Sequence, residues 1–378
     1  MRIFWVSHSS VIPTYREKLC LLASRRDVEL TLLLPKAWPE AGQRVFPAPQ
    51  SPEVEGFRIL TAPLVFEGRV KRHFYPSFFP YVAQARPDLI HVEEEPYSFA
   101  AWQAARAAKR LGAKLVFFTW ENLLEKFEFP HQHIRDYVLG RAGHAIAGDQ
   151  EAAQLLERAG YPASQTSVIP QYGVNPDLFK PGKVPALKKE LGLGPFTIGY
   201  VGRLVPEKGI HHLLEAFASL GLKNSSLLVV GNGPLRRELE EKAGKLRIEN
   251  QTRFVPAMNQ QRLPDYLNCM EVLALPSLTT PKWKEQFGRV LIEAQACGVP
   301  VVGSDSGAIP EVIGKAGLIF KEGNVQDLAS KLRGLARSAA SRKKLSASGR
   351  SQILRLYTNQ KIADQIYQIH RNLLGNPS

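Results

Sequence analysis

Apolar residues along this chain follow two rhythms. Short runs rich in Val, Ile, Leu and Phe alternate with longer stretches whose apolar positions recur every three to four residues. The short runs predict strands at 3–6, 28–34, 57–60, 89–92, 115–119, 145–147 and 168–170. A second series follows at 196–201, 227–230, 253–255, 272–275, 299–303 and 318–320. Helices are predicted at 97–111, 134–140, 150–159, 211–220, 235–244, 263–269, 290–297 and 325–337. Strand and helix in alternation argue an α/β chain with parallel sheets covered by helices on both faces. The pattern restarts near 195, after a stretch at 173–185 with no periodic apolar signal, which reads as a linker. Two Rossmann-like domains facing a central cleft are therefore expected, 1–172 and 173–355. The last helical run, about 351–374, suits either domain; 356–378 is the part that would pack back on the first.

Length agrees with this division, since 378 residues exceed what one core usually supports. The three cysteines, Cys20, Cys269 and Cys297, have no metal-like spacing and sit in apolar runs, so buried free thiols are expected. The opening MRIFWVS reads as a core strand rather than a signal peptide. No apolar run reaches the ~18 residues of a membrane span. A cytoplasmic location is expected, with a peripheral position on the inner face of the membrane as a variant. Charge narrows the partners: the net value of +14 calls for something anionic. The stretch RVKRHFY (69–75) suits an interfacial segment that tucks rings among lipid headgroups, or else a solvated basic face.

The richest chemistry lies in EQFGRVLIEAQACGVPVV (285–302). Glu285 and Glu293 flank a turn at Phe287-Gly288 and a helix start, where free backbone N–H groups suit an anion or a polar sugar edge. Gly288 to Glu293 spans roughly 7.5 Å of helix, so the two acids can grip different parts of one elongated ligand. Gly298 reads as a helix C-cap. Upstream, FTIGYVGRLVPEKG (196–209) puts Arg203 and Lys208 around a strand-to-helix loop. They suit a diphosphate, or are surface cations with Glu207 as local partner. GNGPLR (231–236) lacks the third glycine of a dinucleotide fingerprint and reads as a tight turn. RFVPAM (253–258) offers either a shelf for a flat base or a plain strand end. Glu93-Glu94-Glu95 closes a strand as metal ligands or as an acid/base group, but no paired His or Asp-x-Asp element supports a metal. Glu121, after the next strand, is a further polar candidate.

Taken together, GYVGRLVPEKG, VVGNGP, RFVPAM, LPS (275–277), EQFGRVLIEAQACGVPVVGS and GAIPEVI (307–313), in this order and spacing, resemble the retaining GT-B-fold glycosyltransferases of sequence family 4, the glycosyl transferases group 1. The resemblance is strongest over 165–355. It implies a metal-independent enzyme without cofactor that moves a hexose from a UDP-, GDP- or ADP-sugar. The acceptor would be a glycan or a lipid-linked glycan, as in polysaccharide, lipopolysaccharide or glycolipid synthesis. It implies Arg203, Lys208 and Glu285 as catalytic residues. Gly202, Val255, Pro256, Ala257, Met258, Phe287, Gly288, Arg289, Val290 and Glu293 would bind the donor, with Glu293 on the ribose and 255–258 against the base. The chain also departs from the family. His8-Ser9-Ser10 stands where relatives carry Gly-Gly, Trp120-Glu121-Asn122 where they carry His, and Gly307-Ala308 where they carry Gly-Gly. His8, Ser9, Glu94, Trp120, Glu121 and Asn122 are the first-domain candidates.

Two other readings compete. A sugar-nucleotide-binding protein without catalysis would bind nucleoside diphosphate yet transfer nothing. A nucleic-acid-binding protein rests on charge alone, with no recognisable nucleic-acid module in the chain, so no nucleic-acid partner is expected.

Overall fold

The computed structural model describes all residues other than 41–43, 48–55, 125 and 376–378. The chain divides into two compact units, Met1–Gly173 with Asn359–Ser378, and Val174–Thr358.

The first unit runs β1 (Arg2–Val6), α1 (Glu17–Ala23), β2 (Glu29–Pro35), β3 (Ala37–Glu40), β4 (Arg44–Pro47), β5 (Arg58–Ala62), α2 (Phe78–Ala85), β6 (Leu89–Val92), α3 (Phe99–Leu111), β7 (Lys114–Thr119), α4 (His131–Leu139), β8 (His144–Ala147), α5 (Gln150–Arg158) and β9 (Thr166–Val168). Its sheet is ordered β5-β2-β1-β6-β7-β8-β9, every described pairing parallel. Helices on both faces bury the central strands completely, which is why these runs are apolar throughout rather than alternating. Alanines on α3 let it lie close to the sheet: Ala101, Ala104, Ala105 and Ala108 are fully buried. Ser98 caps its start by accepting from the Ala101 N–H, and left-handed Gly112 ends it.

The second unit runs α6 (Pro185–Glu190), β10 (Phe196–Val201), α7 (Ile210–Leu220), β11 (Ser225–Val230), α8 (Arg236–Lys245), β12 (Thr252–Val255), α9 (Leu263–Leu267), β13 (Val272–Leu275), α10 (Arg289–Ala296), β14 (Val301–Ser304), α11 (Ile309–Ile313), β15 (Leu318–Phe320), α12 (Val325–Arg337) and α13 (Ala339–Leu356). Its sheet is ordered β12-β11-β10-β13-β14-β15, again with parallel pairs. Each sheet therefore reverses its strand order once, between β1 and β6 and between β10 and β13. Ligands of doubly wound sheets bind beyond the carboxyl ends of strands at such switch points.

Several expectations change. The helix expected at 351–374 is two: α13 ends at Leu356 and α14 (Asn359–Leu373) lies in the first unit. The break falls where Val174 donates its N–H to the Tyr357 carbonyl and bridges Thr358 in parallel, so the backbone there is spent on extended pairing. Periodicity runs through the break because α14 carries its own stripe, with Ile362 and Ile366 in the core. α13 is polar on most sides, burying Gly349 and Ile353, and leaves no stripe to read over its first half. The antiparallel pair β3 and β4 is another element that the apolar pattern does not announce. Strand β14 begins at Val301, because Val299 serves as the residue that closes the cap of α10.

Candidate functional site

In the second unit the site grows from the switch point. Strand β10 ends at Val201, and the loop from Gly202 to Lys208 leads into α7. The Tyr200 hydroxyl donates to the Arg203 carbonyl at 2.7 Å and braces that loop. Gly209 has φ +63°, and a Cβ there would come within 2.0 Å of the Pro276 carbonyl oxygen. Only glycine lets the Lys208 turn press so closely on the end of β13. Lys208 Nζ donates to Glu285 Oε2 at 2.5 Å, and Ser277 Oγ donates to the same oxygen at 2.7 Å. The Trp283 ring lies 4.7 Å from the Lys208 ammonium. Arg203 stands apart from this cluster. It faces Glu207 at 3.7 Å with nearly half its side chain exposed, so the local pairing open to it in the sequence is the one it makes.

Glu285 is held by its backbone as well. Its carbonyl accepts from the Ala308 N–H at 3.0 Å. A Cβ on Gly307, φ +51°, would lie 2.0 Å from that carbonyl oxygen. This explains why Ala replaces the second glycine without harm: Ala308 has ordinary right-handed dihedrals, and Gly307 alone makes the close approach.

Gly288, φ +73°, turns the chain into α10. Phe287 is buried against Tyr357, and Arg289 and Val290 form the helix start. One turn on, Glu293 is buried, ion-paired with Arg289 Nε at 2.9 Å and accepting from Gln260 Nε2 at 3.1 Å. Burial raises its pKa above the ordinary range, with Arg289 and Gln260 opposing. α10 closes in a Schellman motif, Gly298 N–H to Gln295 and Val299 N–H to Ala294. The loop at 255–258 is fastened to the GNGP turn: Gly231 N–H bonds the Val255 carbonyl, and Ala257 N–H bonds Asn232 Oδ1. Pro256 and Ala257 are exposed on it, and Met258 half-buried.

In the first unit the three consecutive glutamates do not act as one carboxylate cluster; each has its own partner. Glu93 pairs with buried Lys18, which also donates to the Gln171 carbonyl at 2.7 Å. Glu94 accepts from the His8 backbone N–H at 2.9 Å and meets His8 Nδ1 at 2.6 Å. Burial works to raise the Glu94 pKa, but His8 and His73 outweigh it and hold the acid at about 2. Glu95 accepts from Thr119 Oγ1 at 2.5 Å and from the Trp120 N–H at 2.9 Å, yet burial dominates and pushes it to about 7. Ser9 and Trp120 meet on one residue: Gln171 donates to Ser9 Oγ and accepts from Trp120 Nε1. Glu121 lines a small recess with Thr119 and Arg135, and Asn122 is buried. The stretch 69–75 corrects its reading as a row of surface rings. His73 and Tyr75 are wholly buried, Phe74 is half-buried, and Phe66 and Val70 are the exposed apolar residues nearby.

Thus the structure joins Lys208 with Glu285, and His8 with Glu94, while Arg203 and the Trp120 loop lie outside those clusters. Ser277, Trp283, Gln260 and Asn232 join the site only through the fold. Ser277 lies in the LPS motif and Asn232 in the GNGP turn, so adjacency to a motif was the available signal; Trp283 and Gln260 carried none.

The family described as glycosyl transferases group 1 matches residues 185–352, and a glycosyl transferase 4-like domain matches 12–171. A D-inositol 3-phosphate glycosyltransferase of Nocardiopsis dassonvillei is 29% identical over 328 residues, 79% of this chain and 75% of that protein. A 2-deoxystreptamine glucosyltransferase of Streptomyces kanamyceticus is 30% identical over 64% of this chain and 66% of its own length. Matches to other D-inositol 3-phosphate glycosyltransferases span 49% and 58% of those proteins. Among solved structures, Anabaena Alr3699/HepE in complex with UDP superposes with a TM-score of 0.76 at 22% identity, over 98% of this chain and 100% of that one. Among the described residues, no helix is long and apolar enough to cross a membrane.

Proposed function

This chain belongs to the group 1 glycosyltransferases of GT-B fold, and on that premise we propose that it moves a hexose, with retention, from a UDP-, GDP- or ADP-sugar to a glycan or lipid-linked acceptor of polysaccharide, lipopolysaccharide or glycolipid synthesis. The observation that carries the reading is the Lys208–Glu285–Ser277 cluster at the switch point, with buried Glu293 on the helix that follows Glu285. UDP in the Anabaena structure favours the uridine donor among the three.

In this reading Glu293 accepts from the ribose hydroxyls and the base lies against 255–258. Glu285 accepts from hydroxyls of the donor sugar, and the backbone N–H groups at Phe287–Val290 face the donor. The Lys208 ammonium has three N–H bonds; Glu285 takes one, and the others remain for phosphate oxygens. Arg203 leaves Glu207, a weak half-exposed pairing, to meet the same diphosphate. As the sugar C1–phosphate oxygen bond breaks, negative charge gathers on the leaving diphosphate, and fixed cations stabilise it. The acceptor oxygen bonds C1 on the same face, and its proton passes to the leaving phosphate oxygen. No metal is needed for charge that Lys208 and Arg203 neutralise. The acceptor falls to the first unit, where His8, Ser9, Glu94, Trp120, Glu121 and Asn122 are the candidates.

A donor screen tests this. UDP-, GDP- and ADP-sugars are added to the protein and its thermal midpoint followed, since a ligand that binds the native state raises apparent stability by mass action. One nucleotide class is expected to stand out and to be consumed with formation of an α-configured product when a glycan acceptor is supplied. No shift with any of them, and no transfer, would refute the proposal.

A further inference from the structure

His8, His73 and Glu94 bring their ligating atoms within 4.8 Å of one another. They come from three segments: His8 follows β1, Glu94 follows β6, and His73 precedes Phe74, which bridges back to Val65. Glu94 Oε2 lies 2.6 Å from His8 Nδ1 and 3.4 Å from His73 Nε2. The Glu94 and His73 side chains are fully buried, while the His8 side chain is 19% exposed and gives the cluster an open side. Trp38 closes another side, its ring 4.3 Å from His8 and 4.9 Å from His73.

Two buried groups here lack hydrogen bonds among the described residues, His73 Nε2 and the Tyr75 hydroxyl. His73 Nδ1 is spoken for: it lies 3.2 Å from the Arg69 carbonyl, which can only accept, so Nδ1 carries a proton. Its Nε2 is left facing the Glu94 carboxylate oxygen at 3.4 Å with no hydrogen bond of good geometry, and that carboxylate draws positive charge to the ring, a proton or a metal ion. A backbone carbonyl on the outer ring nitrogen, as Arg69 supplies to His73, is also how metal-bound histidines are commonly oriented. Two imidazole nitrogens and one carboxylate oxygen, with one side open, form the ligand set of zinc sites that keep water in the fourth position. Metal–ligand bonds of about 2.0–2.2 Å in tetrahedral array put ligand atoms roughly 3.4 Å apart. The His73–Glu94 spacing already meets that, and the His8 ring, on the open side, has to withdraw by roughly 0.8 Å.

We propose that His8, His73 and Glu94 bind one divalent transition-metal ion of zinc-like chemistry. The ion ties the ends of β1 and β6 to the 65–74 segment at the switch point of the first sheet. It is separate from the diphosphate chemistry, and the inference does not rest on the donor reading. The paired histidines missing beside Glu93–Glu95 in the sequence are supplied from elsewhere in the chain.

Tag-free full-length protein, stripped with chelator and desalted, is titrated with Co²⁺ alone and then with Zn²⁺. One equivalent of Co²⁺ is expected to give visible d–d absorption without a thiolate charge-transfer band, and Zn²⁺ is expected to displace it and raise the thermal midpoint. His73→Ala and His8→Ala are expected to weaken Co²⁺ binding by roughly tenfold or more. His73 is buried and its variant can unfold, so His8→Ala, checked by circular dichroism, keeps the test readable. Absence of stoichiometric Co²⁺ binding to folded protein would overturn the proposal and leave a proton shared among the three side chains. Undiminished binding by His8→Ala would overturn it too, as would a thiolate band, which assigns the metal to a cysteine.

Discussion

At the scale of single residues, Lys208 is the side chain on which the proposed reaction depends most. It is half-buried against Glu285 and Trp283, where a cation is screened less than in open water. Lys208→Ala is expected to lower transfer by about 10²–10³-fold, with circular dichroism unchanged. A variant that transfers at the full rate would remove Lys208 from the mechanism. A second residue-scale effect concerns stability. His370 is wholly buried beside His91, its Nε2 2.9 Å from His91 Nδ1. Burial, aided by the charge of His144, lowers its pKa from 6.5 to about 3. The folded state therefore refuses a proton that the unfolded chain takes up below 6.5. Stability attributable to His370 is intact above that pH and is lost as pH falls toward 3. The loss runs at up to about 1.4 kcal/mol per pH unit. His370→Gln keeps a partner for His91 and does not titrate. In urea denaturation, wild type is expected to lose stability relative to this variant between pH 6.5 and 4; a constant difference would contradict the assignment. His91 and His370 lie in runs that read as ordinary apolar elements, and nothing local in either says that the two rings meet.

At the scale of elements, the site is made by loops that glycine permits to touch. Gly307 brings the turn before α11 onto the Glu285 backbone, and Gly209 brings the Lys208 turn onto the end of β13. Gly307→Ala adds both a left-handed strain of about 1–3 kcal/mol and a collision with the Glu285 carbonyl. Its unfolding midpoint is expected to fall, and donor affinity with it, because Glu285 shifts. Ala308→Gly, which adds no contact, is expected to leave donor affinity unchanged, as measured by calorimetry. Motif order foretold that these loops cluster at strand ends, since parallel strands put all their carboxyl ends on one edge. It did not foretell the pairing. Arg203 and Lys208 are equivalent cations on one loop in the sequence, yet Lys208 lies half-buried on Glu285 while Arg203 is exposed beside Glu207. The difference comes from the short turn at Pro206–Lys208, which the apolar pattern does not register.

At the scale of the whole molecule, charge is the dominant property. From a net +14 and the exposed Phe66, Val70, Leu124 and Phe129 of the first unit we propose an anionic membrane surface as a partner. Cations near them already lie on rings, Lys71 on Tyr97 and Phe127, so the surface mixes basic and aromatic groups. Vesicles of phosphatidylglycerol are expected to pull the protein down at low salt, with release at ~1 M salt, where the Debye length is about 3 Å. Phe66→Ser should weaken the pelleting. No pelleting at low salt would strike the membrane from the list of partners.

The sequence by itself determined the class of fold, the two-sheet organisation and the order of the donor motifs. These depend on local periodicity and on turn residues, which are written in contiguous stretches. Tertiary structure decided the rest. It split the last helical run between two units at Tyr357–Thr358, because Val174 takes the Tyr357 carbonyl there. It separated three adjacent glutamates into an ion pair with Lys18, a cluster with two histidines and a buried acid near pH 7. Successive side chains at a strand end diverge, and their partners come from distant segments. Proximity of that kind is set by the packing of strands and loops, and no spacing along the chain encodes it.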